Sequence, residues 1–253
     1  MIQKEKLFAH LLPPTRLKKG DPAIRINDRI IHNPKYEIAK FVGKYLPSSV
    51  DYTTANWVQV ENLYNPTPTS TDIDTSLNNY LPTLIAWKAK LEEREKKRDI
   101  KQSLAPDELE NEKQNELLLR RERIIATNQI LKIATKNKDT IGKWMMRPNI
   151  RSVDGVWRYI ASATVRGELG CSAIVSTTGG PNSHLMCIYC TDFNDVAHVE
   201  HVLRQIKSYN LEVHEGFKPD VFSTIGREWD LEPTIHNNIL AKVFPYSVVR
   251  IND

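Results

Sequence analysis

The segment from Gly142 to Asn237 constrains the fold more than any other part of the chain. Its apolar residues alternate as in strands or recur every three to four positions as in amphipathic helices, in the order strand, helix, two strands, helix. Neither a glycine-rich phosphate loop nor a repeated strand–helix–strand rhythm accompanies this order. The pattern therefore favours an α+β fold in which an antiparallel sheet is backed by helices on one face.

Local signals within this segment predict its individual elements. In chain order we expect a strand from Gly142, a helix capped by Ser152 and ended by Gly167, a hairpin with strands over 171–177 and 184–190 and a turn over 178–182, a helix that starts at Asp192 or Asn194, and a strand-like stretch from Val221 to Ile225. The apolar faces of the two helices would pack against the sheet.

Residues 1–87 read as the N-terminal part of the same α+β domain. Asn33 followed by Pro34 is typical of a helix start, since asparagine can cap free amides and proline is tolerated in the first turn. Trp57 to Glu61 alternates apolar and polar residues as a strand does. Residues 124–253 are interpreted as the C-terminal core of this domain.

Residues 88–123 form a charged insertion with a composition of its own. They contain 11 basic and 10 acidic residues in 36 positions, interrupted by Ser103-Leu-Ala-Pro106. Such a segment cannot pack on all sides, so it is either a solvated helix pair or partly disordered. Leu117, Ile124 and Leu131 then recur at heptad spacing, and this stripe could pack on the protein's own core or on a partner protein.

Charge and cysteine usage restrict the class of protein. The net charge is +4, but the segment 142–238 holds 9 basic against 11 acidic residues, so no strong basic surface for duplex nucleic acid is indicated. Three cysteines do not make a disulfide framework, which favours the cytoplasm or the nucleus. We expect no membrane segment, because the apolar runs are far shorter than the roughly 20 residues that a span requires.

Two places in the sequence carry residue types that can bind a metal ion. Cys171, His184, Cys187 and Cys190 are zinc-ligand types, but Cys187 and Cys190 should point to opposite faces of a strand, so core cysteines are favoured over a metal site. The sequence His198-Val-Glu-His201 resembles part of a zinc-deaminase element but has no cysteine pair after it. We therefore expect neither a metal ion nor a cofactor.

Nucleophilic catalysis finds no support in the sequence either. There is no Gly-x-Ser-x-Gly elbow, and Gly179-Gly180 lies in a predicted hairpin and not before a helix. We assign no catalytic residue, and an enzyme is the less favoured class.

Trp229 is the tryptophan whose setting differs most from that of a core residue. It lies within Arg227-Glu-Trp-Asp230, so cations and carboxylates surround it. An aromatic ring with such neighbours can stack a nucleobase while a carboxylate hydrogen-bonds the base edge. The alternative is that Trp229 closes one end of the sheet as a packing residue.

An ordered series of motifs over about 95 residues resembles the Bles-type proteins, named for a basophilic leukaemia expressed protein. The matching motifs are Gly142-Lys-Trp, Val153-Asp-x-x-Trp157, Ala161-x-Ala-Thr-Val-x-Gly-x-Leu-Gly170, Ser172-Ala-x-Val-Ser176, Tyr189-x-x-Asp-Phe193, Lys218-Pro-Asp220 and Glu232-Pro-Thr-Ile235. The resemblance implies a fold similar to that of translation initiation factor 4E, with a curved antiparallel sheet, helices behind it and a concave face able to receive a ligand. Fold analogy alone is a weak guide to function.

These considerations lead to three functional hypotheses. The first is a non-enzymatic RNA-associated binding module of initiation-factor-4E-like fold, which recognises a nucleotide or an RNA end. Its phosphate contacts would be Lys143, Arg166 and Lys218, which adjoin turns, whereas the alternative for each of them, and the favoured one, is an ordinary solvated surface charge. Trp229 and Asp230 would be the base platform and its carboxylate. The second hypothesis is a protein-interaction scaffold that uses residues 88–135, and the third is a small-molecule or nucleotide enzyme in the concavity of the sheet.

Overall fold

The chain folds into two compact units. The computed structural model describes residues 20–67, 73–101, 108–177, 184–213, 215–226, 229–231 and 233–243. The first unit comprises Met1–Pro68, Gly142–Phe217 and His236–Asp253, and the second comprises Thr69–Ile141 and Lys218–Ile235. The boundaries that we predicted after residues 87 and 123 fall inside two long helices of the second unit.

The described elements are seven strands and seven helices, mixed along the chain. They are β1 (Ala23–Ile26), β2 (Arg29–His32), α1 (Ile38–Lys44), β3 (Trp57–Glu61), α2 (Ile73–Lys101), α3 (Glu108–Lys136), β4 (Gly142–Met146), α4 (Val153–Val165), β5 (Ser172–Ser176), β6 (Met186–Cys190), α5 (Val196–Ser208), β7 (Lys218–Pro219), α6 (Val221–Ile225) and α7 (Asn237–Val243). Elements α2, α3, β7 and α6 belong to the second unit, and all others belong to the first. The α+β class predicted from the sequence is therefore confirmed.

Six strands of the first unit form an open sheet in the order β1-β2-β3-β5-β6-β4. The pairs β1–β2, β3–β5, β5–β6 and β6–β4 are antiparallel. The pair β2–β3 is parallel, so the prediction of an antiparallel sheet is wrong for this pair. The physical reason is that α1 lies between the two strands in the chain and carries the backbone across to start β3 in the same direction as β2.

One face of this sheet is a continuous apolar core. Val60, Ala173, Ile188 and Trp144 lie side by side across β3, β5, β6 and β4, and each of them is 0% exposed. The next row along the strands contains Val58, Val175, Met186 and Met146, which are also buried. Because side chains alternate along a strand, these two rows belong to the same face.

Described helices of the first unit pack against this apolar face. The indole Nε1 of Trp144 donates to the carbonyl of Val199 in α5 at 3.0 Å. His32, which lies on the same face, contacts Phe41 of α1 edge-on, with ring centroids 5.3 Å apart. Helix α4 packs on α1 and on strands β3 and β5. The prediction that helices back one face of the sheet holds for α1, α4 and α5.

Side-chain and glycine signals set the ends of the two longer helices in this unit. Gly167, at φ +80°, follows α4 in the left-handed region that favours glycine, as predicted. Asp195 caps α5, because its side chain accepts from the amide of His198 at 3.0 Å. The predicted start at Asp192 or Asn194 is therefore wrong. Ser152 makes no side-chain cap, contrary to our prediction. Instead, Asn149 Oδ1 accepts from the amides of Arg151 and Ser152 at 3.0 and 2.9 Å.

The second unit is built around the long helices α2 and α3. Tyr80, Leu84 and Trp87 of α2 are buried, as are Ile130 and Ala134 of α3, and the two helices pack on each other. Glu122 of α3 forms ion pairs with Arg94 at 2.8 Å and Lys90 at 3.9 Å. The charged segment is thus helical over 88–101 and 108–123, whereas the interruption at Ser103–Pro106 lies outside the described residues.

Two element predictions are wrong. Val221–Ile225 is a one-turn helix and not a strand. A run of five residues is too short for its apolar spacing to distinguish a helix from a strand, so the surrounding chain decides between them. The first helix starts at Ile38, whereas Asn33 forms a tight turn in which its Oδ1 accepts from the amide of Lys35 at 3.1 Å. The predicted turn over 178–182 lies outside the described residues.

Candidate functional site

The second face of the sheet carries polar and aromatic side chains. One row across the strands consists of Glu61, Ser172, Tyr189 and Lys143, in which Lys143 is 9% exposed while Glu61 and Tyr189 are half-buried. Further along the strands, Gln59 and Trp57 of β3 adjoin Arg29 of β2. We call Arg29, Trp57, Gln59, Glu61, Lys143 and Tyr189 the polar sheet face. It lies opposite the apolar rows because its members alternate with them.

The residues on the β2–β3 side are joined by hydrogen bonds. Arg29 Nη1 donates to Gln59 Oε1 at 2.9 Å, and Gln59 Nε2 donates in turn to the Glu61 carboxylate. Thr67 donates to Glu61 Oε2 through its hydroxyl at 2.9 Å and through its backbone amide at 3.3 Å. Glu61 is therefore held in position by donors on both of its oxygens, and a carboxylate retains further lone pairs for a ligand.

Lys143 is held against Tyr189 at the other end of the row. Its Nζ lies 3.4 Å from the Tyr189 hydroxyl oxygen and 5.1 Å from the ring centroid. A lysine that is nearly buried keeps its ammonium group in a fixed direction, in contrast to a surface lysine with free rotamers. This contact makes Lys143 a positioned cation on the sheet.

The charges of Glu61 and Lys143 are separated across the sheet. Three strand spacings of about 4.8 Å place the two strand positions roughly 14 Å apart, so the side chains cannot form an ion pair with each other. An acceptor lies at one end of the row and a cation at the other. The ring of Tyr189 contacts Lys143, and the half-buried ring of Trp57 lies further along β3. This arrangement can receive a ligand that has donor groups at one end, an aromatic ring and an anionic group.

Arg166, another of the predicted phosphate contacts, already has an anionic partner. Its Nε and Nη2 donate to the two oxygens of Glu168 at 2.6 and 2.8 Å, and Tyr209 donates to the same carboxylate at 3.2 Å. The guanidinium lowers the pKa of the Glu168 carboxyl from its usual value, since the hydrogen bond favours the charged form. Arg166 caps the end of α4 and is not part of the polar sheet face.

Trp229 and Asp230, the predicted base platform, lie in the second unit with partners of their own. Trp87 Nε1 donates to the Trp229 carbonyl at 2.7 Å, and Lys88 Nζ lies 5.7 Å from the centroid of the Trp229 ring. Arg123 pairs with the Asp230 carboxylate at 2.5 Å. A nucleobase would have to displace the Lys88 and Arg123 contacts to use this ring and this carboxylate.

Lys218 is half-buried in β7 of the second unit, next to the buried Pro219. Of the five predicted residues, Lys143 and Arg166 belong to the first unit, and Lys218, Trp229 and Asp230 belong to the second.

The three cysteines and His184 occupy buried positions of the sheet and its edges. Cys187 and Cys190 lie on opposite faces of β6, as predicted, and all three cysteines are free thiols. Burial raises the pKa of the Cys171 thiol. His184 Nδ1 is engaged with the carbonyl of Ser176 at 2.8 Å. Across the described ranges, no cluster of three or more histidine, cysteine or acidic side chains is placed to share a metal ion.

Sequence reasoning missed most of the polar sheet face. The signal was present in Trp57-Val-Gln-Val-Glu61, where the strand's alternation places the tryptophan, glutamine and glutamate on one face. What the sequence could not supply was the register, which brings this strand beside β2 and β5 and thereby adds Arg29, Tyr189 and Lys143. Of these residues, Lys143 alone had been singled out.

Comparison with protein families assigns the chain to a family. A family model described as Basophilic leukemia-expressed protein Bles03 matches residues 17–226. The chain belongs to this family. The Bles03 match starts before the motif series and ends at residue 226, so the motif Glu232-Pro-Thr-Ile235 lies outside it. It includes β2 and β3, the strands that carry Arg29, Trp57, Gln59 and Glu61.

The helices of this Bles03 family member were also compared with the requirements of a membrane span. Within the described portion of the chain, no helix combines the length and the apolar character that crossing a bilayer demands.

Proposed function

We propose that this protein is a non-enzymatic, RNA-associated binding module with a fold like that of translation initiation factor 4E. The polar sheet face would receive a nucleotide or the end of an RNA strand. Helices on one side of an open sheet, with a polar face on the other, support the proposed fold. In the proposed fold, the parallel β2–β3 pair is a local departure from an otherwise antiparallel sheet.

The observation that carries the proposal is the separation of Glu61 and Lys143 on one sheet face, with Tyr189 in the row between them. Trp57 lies on the same face, roughly 14 Å from Glu61 along β3. A nucleotide has a flat base with hydrogen-bond donors on its edge and an anionic phosphate at the other end. Stacking of a base on an aromatic side chain contributes about 1 to 3 kcal/mol and tolerates different sequences. The polar sheet face offers a partner for each part of such a ligand.

Charge placement also favours a strand end or a single nucleotide over a duplex. The cations of the polar sheet face are Arg29 and Lys143, whereas duplex binding proteins neutralise many phosphates along a groove. Net charge of +4 spread over 253 residues agrees with a small number of phosphate contacts. We further propose a cytoplasmic or nuclear location, which the three free cysteines support.

The direct test compares two tryptophans as base platforms. A short fluorescently labelled single-stranded RNA is titrated with the full chain and with the Trp57→Leu, Lys143→Met and Trp229→Leu variants. We expect Trp57→Leu and Lys143→Met each to weaken binding by roughly tenfold, because each removes about 1 to 3 kcal/mol of stacking or charge contact. Circular dichroism of each variant checks that the fold is retained.

The same titration can reject the proposal. If Trp229→Leu alone weakens binding, the base platform lies in the second unit and the assignment to the polar sheet face is wrong. If the wild-type affinity does not change between low and high salt, phosphate contacts are absent and RNA binding as such is rejected.

A second candidate function is a protein-interaction scaffold that uses residues 88–135. The observation in its favour is that four large aliphatic side chains of α3 are exposed: Leu117, Leu118, Ile124 and Ile125. Deletion of residues 88–123 separates the two candidates. If RNA binding survives the deletion, the first candidate is supported. If RNA binding is lost, the helical region is required to bind the ligand.

A further inference from the structure

Helix α3 carries an exposed aliphatic stripe. Leu117, Leu118, Ile124 and Ile125 are 58%, 45%, 46% and 53% exposed. We call these four residues the outer stripe. Seven residues of an α-helix span almost two whole turns, so Leu117 lies above Ile124 and Leu118 above Ile125, with about 10.5 Å between the two pairs. The four side chains therefore form one patch and are not scattered.

The outer stripe lies on a different side of α3 from the fully buried residues. The buried side of α3 includes Ala126, Ile130 and Ala134, which are 5%, 0% and 0% exposed. At 100° per residue these three lie on the opposite side of the helix from the outer stripe. Single exposed aliphatic residues need no explanation, but a contiguous patch opposite a packed face is typical of an interaction site.

Cations surround the outer stripe. Arg121 lies between its two pairs, and Arg120 and Lys132 border it, and all three are exposed. The described residues give none of the three a carboxylate partner in an ion pair. Two acidic residues lie between positions 114 and 132. Glu122 forms ion pairs with Arg94 and Lys90, and Glu116 projects about 100° away from Leu117 around the helix axis. The patch is therefore both apolar and basic.

A second copy of the chain fits this patch poorly. Residue 121 is the midpoint of the outer stripe, so an antiparallel pairing of two α3 helices places Arg121 against its own copy. A parallel pairing places each cation against its copy as well. Like charges brought together in an interface are unfavourable, and a partner that supplies carboxylates is favoured.

We propose that the outer stripe of α3 binds an acidic amphipathic helix of another protein. This proposal rests on the second candidate function and names its partner class. The partner would place aliphatic side chains at helical spacing over Leu117, Leu118, Ile124 and Ile125, and its flanking glutamates or aspartates would meet Arg120, Arg121 and Lys132. Recognition of this kind uses a few aliphatic anchors and a charged border.

The test uses the full chain and two synthetic helical peptides. Both carry leucines at positions i, i+3 and i+7, one with glutamates and the other with lysines at the flanking positions. Binding is measured by fluorescence anisotropy for the wild type, for the double variant Leu118→Gln/Ile125→Gln and for Arg121→Glu. The control is Ile150→Gln, since Ile150 is a similarly exposed isoleucine (49%) in the first unit.

We expect the acidic peptide to bind the wild type and the Ile150→Gln control equally. The double variant should lose about tenfold in affinity or more, since buried aliphatic anchors dominate such interfaces. Arg121→Glu should weaken the acidic peptide and strengthen the lysine peptide, which a change of apolar area alone would not do. RNA affinity of all variants should stay unchanged, so that failure of this proposal is distinguishable from failure of the proposed RNA function.

Three results would overturn the proposal. The first is no binding of the acidic peptide up to about 1 mM, or equal binding to wild type and double variant. The second is a concentration-dependent dimer in analytical ultracentrifugation that the double variant abolishes, which assigns the stripe to a second copy. The third is cosedimentation of the wild type, but not of the double variant, with vesicles of phosphatidylserine and phosphatidylcholine, which assigns it to an anionic membrane surface.

Discussion

His32 is a buried titratable group in the helix-covered side of the sheet. It is 4% exposed, and its Nε2 donates to the carbonyl of Tyr36 at 2.8 Å. Burial lowers its pKa from the ordinary value of 6.5, because desolvation penalises the charged ring more than the hydrogen bond to Tyr36 favours it. The folded protein therefore prefers the neutral imidazole with its proton on Nε2.

We predict that acid weakens the fold through His32. The unfolded chain binds a proton near pH 6.5 and the folded chain does so only at lower pH, so the free energy of unfolding should fall as pH drops below about 6.5. The slope cannot exceed about 1.4 kcal/mol per pH unit for one group. Urea unfolding at several pH values between 7.5 and 5 measures it. His32→Gln should flatten this dependence, and the exposed His201→Gln should leave it unchanged.

Gly170 is required by a close approach of two backbones. A Cβ at this position would lie 1.9 Å from the carbonyl oxygen of Tyr189 and 2.8 Å from its carbonyl carbon. Backbone atoms of β6 cannot move aside without breaking the contact in which the Cys171 amide donates to the same oxygen at 2.7 Å. The glycine thus allows β5 to start directly beside β6.

We predict that Gly170→Ala lowers the free energy of unfolding by about 3 kcal/mol or more, since an overpacked site of this kind cannot relax. The matched control is Gly155→Ala in α4, where a Cβ meets nothing within 4 Å. This control should be stabilised by about 0.5 to 1 kcal/mol, because alanine is the better helix former. Urea unfolding followed by circular dichroism compares the two. Equal effects of both substitutions would contradict the assigned role of Gly170.

At the scale of elements, α5 shows how a sequence signal becomes a helix boundary. Its buried residues Val199, Val202, Leu203 and Ile206 repeat every three to four positions, and Asp195 supplies the cap. The sequence pattern predicts a helix start at Asp192 or Asn194, and this prediction misses the cap by one to three residues. Geometry selects Asp195 because only its carboxylate reaches the amide of His198.

We predict that Asp195→Ala lowers the free energy of unfolding by about 1 kcal/mol through loss of this cap. Asp195→Asn should cost much less, because the asparagine oxygen can accept from the same amide. Thermal unfolding of the wild type and both variants at pH 7 gives the comparison. An alanine variant as stable as the asparagine variant would show that the cap does not stabilise α5.

Element type was predictable where the spacing of apolar residues or the flanking residues favoured one kind of element. The strands at Trp57–Glu61 and Gly142–Met146 and the helix from Val153 follow the sequence pattern closely. Short apolar runs were not decisive, as Val221–Ile225 shows. The polar sheet face required more than element type, since Arg29, Glu61 and Lys143 come from three strands that are distant in the chain and neighbours only through register.

At the scale of the whole molecule, the charge distribution limits how RNA could bind. If Arg29 and Lys143 make the phosphate contacts, about two phosphates are neutralised. For a single strand, the logarithm of the association constant should then fall with the logarithm of salt concentration with a slope of about −1.4, or ~0.7 per phosphate.

This slope is measured by titrating labelled RNA at several potassium chloride concentrations. Lys143→Met should reduce its magnitude by about half, and the exposed Arg158→Gln, on α4, should not change it. A slope several times steeper in the wild type would point to a broad basic surface in place of the polar sheet face.

The strand order has a consequence for any shortened form of this protein. Every motif of the Gly142–Asn237 series would survive removal of residues 1–67, yet β5 would lose its neighbour β3. The five residues Ser172–Ser176 would then present unsatisfied amides and carbonyls along an apolar border, which is a template for joining further chains. Such a fragment should sediment as multimers. It would also lack the part of the polar sheet face that contains Glu61, so the motif series alone does not guarantee a functional protein.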